Sequence, residues 1–427
     1  MASSTGDVGS NFSRRNFLKL GGFAGLVVVS AGCGAGGGDS GGGGGGATTL
    51  QVLVEAGGKA ELTPVADAFK QKTGTTVTLV ELPYEGLFNR LSSELSSGSL
   101  SFDVAALDAI WLPTFAGALQ PLDELFTDEV KADLFPGLIT EAQVNGKFIG
   151  MPVWTNAEIL FYRKDLFDKA KLEPPKTWQE FQDTAKSFTD APKLYGTDVK
   201  GAVETEWLAH VLQAGAPGVV LDPNGQVIID NPQHLEALTF YSDLNNKLKV
   251  APTGAAQLDW AGAQNLFYQG KTAMLRFWAH AYPLTPKDSP VNGKVGVAPM
   301  IAGSAGVAAI PGAWYLSVPA KGKNNAKATE FIKFAYDNNA LSIESDLGLA
   351  ARRSAFDQYA SKPGYEHFKP LLETLAAPQT KPRPATPKWQ QIVDTVLVPT
   401  LQKSLKPGAD YAALLTAARG DVEKLVS

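Results

Sequence analysis

Leu50-Gln51-Val52-Leu53-Val54, Thr76-Val77-Thr78-Leu79-Val80-Glu81 and Phe102-Asp103-Val104-Ala105-Ala106-Leu107 are three short runs of β-prone, mostly apolar residues. Two helical patterns separate them. In the first, Thr63 is placed to cap and Pro64 suits a first helical position. Val65, Ala66, Ala68 and Phe69 form one face, and Gly74 stops the pattern. The second runs from Tyr84 to Ser96, with Leu87, Phe88, Leu91 and Leu95 on one side. Strand, helix, strand, helix, strand predicts an α/β fold whose parallel sheet is flanked by helices. Ligands of such sheets sit beyond the carboxyl ends of the strands. Here those ends are the loops 55–59, 82–85 and 108–113.

Downstream, Ile159-Leu160-Phe161-Tyr162 reads as a buried strand, and Arg163 to Phe167 opens a helix. Residues 170–290 are mostly helical patterns broken by Pro and Gly. Strand signals return at Lys294–Met300 and Ala313–Val318. A helix at Asn325–Tyr336 buries Ala328, Phe331, Ile332 and Ala335, and a last one carries Tyr411, Leu414, Leu415, Ala418, Val422 and Leu425 on one face. No internal repeat is present. Two lobes joined by crossing segments are the simplest arrangement, and the chain length agrees with it.

Upstream of the first strand the composition changes. The chain has 427 residues and 43 glycines, of which 16 fall in the first 49 positions. Ser13-Arg14-Arg15-Asn16-Phe17-Leu18-Lys19 resembles a twin-arginine export motif. The apolar stretch after it, Leu20 to Val29, is too short to span a bilayer, as a signal peptide requires. Ser30-Ala31-Gly32-Cys33 resembles a lipobox, with Ser where Leu is preferred, and Cys33 is the only cysteine. Gly34 to Gly46 has a flexible linker composition. Residues 1–32 are therefore expected to be a lipoprotein signal peptide, and 33–49 a lipidated cysteine with its tether. Two acyl chains hold a protein on a membrane where one is marginal.

Several chemistries lack their residues. One cysteine supports neither a disulfide framework nor a Cys-rich metal site. Net charge is −5 without a strongly basic cluster in the body, which argues against nucleic acid. The four histidines, His210, His234, His280 and His367, make no metal spacing, and no G-x-S-x-G occurs. Gly270-Lys271-Thr272 mimics the end of a phosphate loop, but the earlier glycine position holds Asn265, so it reads as a helix end. Neither cofactor nor metal is expected, and no catalytic pair of carboxylates stands out.

Tryptophan does stand out, with eight residues. Trp111, Trp154, Trp278 and Trp314 lie at loop–strand junctions, whereas Trp178 and Trp389 read as structural. An aromatic face packs on the C–H face of a sugar ring, and carboxylates or amides bind its hydroxyls.

Gly146-Lys147-Phe148-Ile149-Gly150-Met151-Pro152, Leu160 to Phe167 and Pro175-Lys176-Thr177-Trp178-Gln179-Glu180-Phe181 resemble the extracellular solute-binding proteins of carbohydrate ABC importers, the maltodextrin-binding-protein-like family. Phe267 to Met274 with Trp278, Val295 to Pro299 with Pro311 to Trp314, and Arg383-Pro384-Ala385-Thr386-Pro387 are similar to later blocks of that family. The resemblance covers nearly all of the mature chain. It implies a two-lobed periplasmic-binding-protein-like fold, each lobe a mainly parallel sheet, with the ligand cleft between. Residues 50–155 and 295–342 would form one lobe, and 156–294 and 343–427 the other.

It implies a monomer that closes on a small carbohydrate and delivers it to a membrane permease driven by a separate ATPase, at the outer face of the cytoplasmic membrane. Glu55 and Tyr84 would be rim contacts and Asp108 a hydroxyl acceptor, with Trp111 walling the cleft. Asn156 would bind hydroxyls near the first crossover. Trp207 and Trp278 would be aromatic platforms of the second lobe. Gly312 and Trp314 would lie on the strand returning to the first lobe, and Arg353 or Arg352 would donate. The first strand lacks the tryptophan many relatives carry there. A secreted carbohydrate-active hydrolase and an ion- or polyamine-binding protein remain the alternatives.

Overall fold

The computed structural model describes residues 49–345 and 348–427. The export motif, Cys33 and the glycine tether lie outside the described residues. Strand β1 (Thr49–Glu55), helix α1 (Gly58–Thr73), β2 (Thr76–Leu82), α2 (Tyr84–Ser97) and β3 (Val104–Asp108) follow in the expected order. β1 pairs parallel with both β2 and β3. β1 is a nearly continuous apolar run because both faces of a covered parallel sheet are buried. Gly74 and Gly98, at φ +74° and +72°, end the two helices in the left-handed conformation glycine allows.

α1 starts five residues before the expected cap. Thr63 does not cap: its hydroxyl donates to the Lys59 carbonyl at 2.6 Å, and Pro64 sits within the helix. Burial of Glu61 and Leu62 fixes the earlier turn against the core.

The chain reaches the far side of the first sheet as β4 (Met151–Asn156), passes Ala157, and enters a second sheet as β5 (Glu158–Arg163). Helices follow, including α3 (Thr205–Gln213) and α4 (Trp260–Tyr268). Strands β6 (Met274–Trp278) and β7 (Val295–Ala298) then flank β5, and β8 (Gly312–Ser317) returns to the first sheet. The orders are β2-β1-β3-β8-β4 and β6-β5-β7.

Two details correct the sequence expectation. The second sheet is antiparallel throughout, so within the two sheets parallel pairing is confined to β1, β2 and β3. β5 carries the chain away from the crossover, and both β6 and β7 run back towards it. The return to the first sheet falls at Gly312, not at residue 295. Residues 295–298 stay on β5 because Gly296 leaves room for the Tyr162 ring, which any side chain there would strike.

Alternation along the second sheet divides its side chains between two cores. Ile159, Phe161, Leu275 and Phe277 join a core that holds the first sheet, α5 (Asn325–Asp337), Phe356, Phe368 and Leu371. Leu160 and Met274 join the other, with Trp207, Tyr241, Trp389 and Leu401. Leu415, Ala418 and Val422 of α6 (Tyr411–Val426) close that second core. Thus 349–375 packs with the first core, and 389–422 with the second. Gly270, at φ +71°, follows the end of α4, so Gly270-Lys271-Thr272 is a helix end. No helix among the described residues is long and apolar enough to cross a membrane.

Candidate functional site

One edge of the first sheet gathers the aromatic and acidic residues. The carboxyl ends of β1, β2 and β3 bring Glu55, Tyr84 and Asp108 there. β8 runs antiparallel, so its beginning, Gly312 to Trp314, meets the same edge, as does the end of β4. In register, Trp314 lies opposite both Asp108 and Trp154, and Gly312 opposite Asn156.

Asp108 is the hub. One carboxylate oxygen accepts the Tyr84 hydroxyl at 3.1 Å. The other accepts the Ile110 amide at 3.2 Å and the Arg383 guanidinium at 3.2 Å. Ring centroids of Tyr84 and Trp111 are 4.6 Å apart, and Trp314 lies 5.6 Å from Trp111 and 6.1 Å from Tyr84. Trp154 stands 6.1 Å from Trp314 on the other side. Trp111 is only 2% exposed and packs on Phe88, so it supports Tyr84 from beneath while half-buried Trp314 presents its ring.

Trp278 ends β6 and faces this edge. A Cβ added to Gly312 would stand 2.8 Å from the Trp278 ring, so glycine is what lets the indole lie on the β8 backbone. Trp260 braces Trp278 at 5.5 Å, and the Lys200 ammonium lies over Trp260 at 5.2 Å. Lys200 is fixed by Asp198 and, at 2.9 Å, by Glu206, which also pairs with Arg276 of the Trp278 strand. All four charges are fully buried and balance two against two, which their burial requires.

Four expected positions differ. Trp111, expected to wall the cleft, is buried beneath Tyr84 and Phe88. Trp207 is fully buried in the second core, because every residue of α3 is enclosed. Asn156 is engaged within the chain. Its amide nitrogen bonds His280 Nδ1 at 2.7 Å, and its oxygen accepts the Ala157 amide at 3.0 Å. Burial holds His280 down at about 4, so its neutral Nδ1 is the acceptor. Arg353 is exposed and donates to the Leu134 carbonyl at 2.8 Å, while Arg352 pairs with Asp133. The arginine that reaches Asp108 is Arg383. The sequence offered a signal in the Arg383–Pro387 run, where the following proline holds Arg383 extended. Beside it opens a cavity of about 580 Å³, lined in part by Ile110, Pro113, Glu141, Val219 and Lys381.

Burial, then the charges of Asp108 and Glu81, raises Glu55 from 4.5 to about 7. Burial likewise raises Glu141 to about 7, partly offset by Arg383 and the Tyr315 hydroxyl. Burial and Asp108 push the Tyr84 phenol up, keeping it a neutral donor. A raised carboxyl group binds its proton more tightly folded than unfolded, so its contribution to stability is lost as pH rises from about 4.5 through about 7. Glu55→Gln is therefore expected to raise the melting temperature at pH 8 and leave it nearly unchanged at pH 5. Calorimetry at the two pH values checks this, and an equal shift at both would remove the carboxylate as the cause.

Comparison with known proteins agrees with this geometry. A probable ABC transporter-binding protein of Deinococcus radiodurans is 32% identical over 284 residues, 63% of this chain and 67% of that protein. The maltose-bound MalE3 of T. maritima is similar in structure at a TM-score of 0.76 and 26% identity, over 89% of this chain and 100% of that one. A Thermotoga lettingae ABC transporter solute-binding protein bound with α-D-tagatose gives 0.75 at 27% identity, over 89% and 100%. The fold is thus the two-lobed one of solute-binding proteins. Residues 54–340 match the family's own pattern, and the chain belongs to the bacterial extracellular solute-binding proteins.

Proposed function

We propose that this chain captures a sugar between the sheet edge around Asp108 and the indole of Trp278, and delivers it to an ABC transporter permease without chemically altering it. The observation that carries this is the convergence of Tyr84, Trp314, Asp108 and Arg383 opposite Trp278 across Gly312. Aromatic faces cover the apolar side of a sugar ring, while Asp108, Glu55 and Arg383 supply acceptors and a donor fork for its hydroxyls. Maltose and α-D-tagatose in the two similar structures support a sugar as the ligand.

The lobes are taken to be 49–156 with 312–342, and 158–298 with 389–427, the intervening segments spanning or covering the junction. Closure is a population shift, driven only by contacts the ligand makes better in the closed state. The chain acts as a monomer, and the ATPase is a separate partner. Titration calorimetry with a saccharide panel tests the function, the sugar being recovered afterwards to show whether it is intact.

Cys33, following Ser30-Ala31-Gly32, is the proposed site of acylation, and Gly34–Gly46 the tether to the outer face of the membrane. Cys33→Ala is expected to move the protein from the membrane fraction to the soluble fraction on cell fractionation. Unchanged membrane association would remove the anchor.

A further inference from the structure

The proposed sugar site leaves the cavity of about 580 Å³ beside Arg383 without a use, although its volume is that of a small-molecule pocket. The turn after β3 contributes Ile110 and Pro113 to its lining. The segment after α3 contributes Val219 and Leu221, which pack with the second core, and Pro382 and Pro384 come from the stretch that carries Arg383. The cavity begins at Asp108: the Ile110 amide and the Arg383 guanidinium, from two residues of its lining, hold the same oxygen of that carboxylate at 3.2 Å.

All five polar side chains of the lining are already engaged within the chain. The Thr140 hydroxyl donates to the Pro136 carbonyl at 3.1 Å, and Glu141 accepts the Tyr315 hydroxyl at 2.8 Å. Asp222 accepts the Asn224 and Gln226 amides at 2.8 and 2.9 Å. Lys381 donates to the Ala216 and Pro217 carbonyls at 3.3 and 3.4 Å, and Arg383 donates to Asp108. Glu141 Oε1 and Arg383 Nε have no partner, but both atoms are enclosed by protein.

We propose that the ligand is a glycoside whose sugar sits at Asp108 and whose apolar aglycone, an aryl or short alkyl group, fills this cavity. This rests on the sugar-binding reading above and deepens it. A second sugar ring would bring hydroxyls into a chamber whose polar groups are taken, and would leave them unpartnered. Among the described residues, none of the cavity's side chains is aromatic, so the C–H face of such a ring would find no platform either. An aglycone needs neither, and it gains affinity from the apolar surface it takes out of water. It would touch Ile110 of the first sheet's edge and Leu221 on the second core together, and so favour the state in which the two are close.

The test is titration calorimetry of the full chain with matched ligands: the methyl and phenyl glucosides and galactosides in both anomers, with maltose, cellobiose and lactose. In every series that binds, the phenyl member is expected to bind at least about tenfold more tightly than the methyl member, and more tightly than the disaccharides. Leu221→Asn makes the lining polar, and Ala385→Trp, at an exposed position on the cavity, fills it. Both variants are expected to lose the difference between phenyl and methyl members. A methyl member as tight as its phenyl partner, a disaccharide tighter than the phenyl members, or a variant that melts as cooperatively as the wild type yet keeps the difference overturns the inference and leaves sugar binding standing. Failure of every sugar and glycoside to bind removes the sugar reading itself.

Discussion

Trp278→Ala loses about 100-fold in sugar affinity while the chain remains folded. The indole is half-buried, stands at the end of β6, and contacts the first sheet at the backbone of Gly312. Trp278 packs on the margin of the first core, so alanine removes a platform and trims that margin while the fully buried residues beneath stay in contact. Truncating a tryptophan at the centre of a binding surface costs about 2–4 kcal/mol, which brackets a hundredfold change. Trp260 and Lys200 brace the ring from behind, so the loss is one of contact area and of a preset orientation. Calorimetry gives the affinity, and a thermal melt run in parallel shows that the fold survives. Retained affinity would mean that the sugar does not lie on Trp278.

Gly312→Val is expected to weaken binding by about 10- to 100-fold, although valine itself touches no sugar group. A Cβ at this position would meet the Trp278 ring at 2.8 and 2.9 Å, closer than side chains pack, so the indole or the strand must move. Overpacking of this kind costs about 1–3 kcal/mol. Under the proposed function the contact joins the two lobes, so the cost falls on the closed state and reduces apparent affinity in proportion to the lost closed population. Small-angle scattering with and without sugar separates this from simple destabilisation. The wild type should contract on binding, whereas the variant needs far more sugar to do so. Unaltered affinity in Gly312→Val would show that the contact is not part of closure.

The three parallel strands of the first sheet were legible in the sequence because their information is local, whereas β4 was not read as a strand. The runs at Leu50 and Val104 are buried along nearly their whole length, the Thr76 run is rich in β-branched residues although half exposed, and glycines end the helices between them. α1 began early for a non-local reason, the burial of Glu61 and Leu62. Pairing direction in the second sheet was not legible. β5 and β6 are separated by more than a hundred residues, and nothing in either strand states which way its partner runs.

The site follows the same rule. That Glu55, Tyr84, Asp108 and Trp314 share one sheet edge was readable because each lies at or near the end of a strand the sequence defines. Arg383 was missed because it reaches Asp108 from a segment without a strand or helix, 275 positions away. Trp207 misled because a tryptophan on a fully buried helix looks, in sequence, like one on a cleft wall. Asn156 was correctly placed at the crossover, but its amide joins the two sheets through His280, a partner supplied by distant chain.

Binding of an intact sugar is the central claim, and titration calorimetry followed by chromatography of the recovered ligand tests it most directly. At least one saccharide is expected to bind in equimolar ratio, at about micromolar affinity or tighter, and to be recovered unchanged after prolonged incubation. A panel in which no sugar binds, or a ligand recovered in pieces, would contradict it.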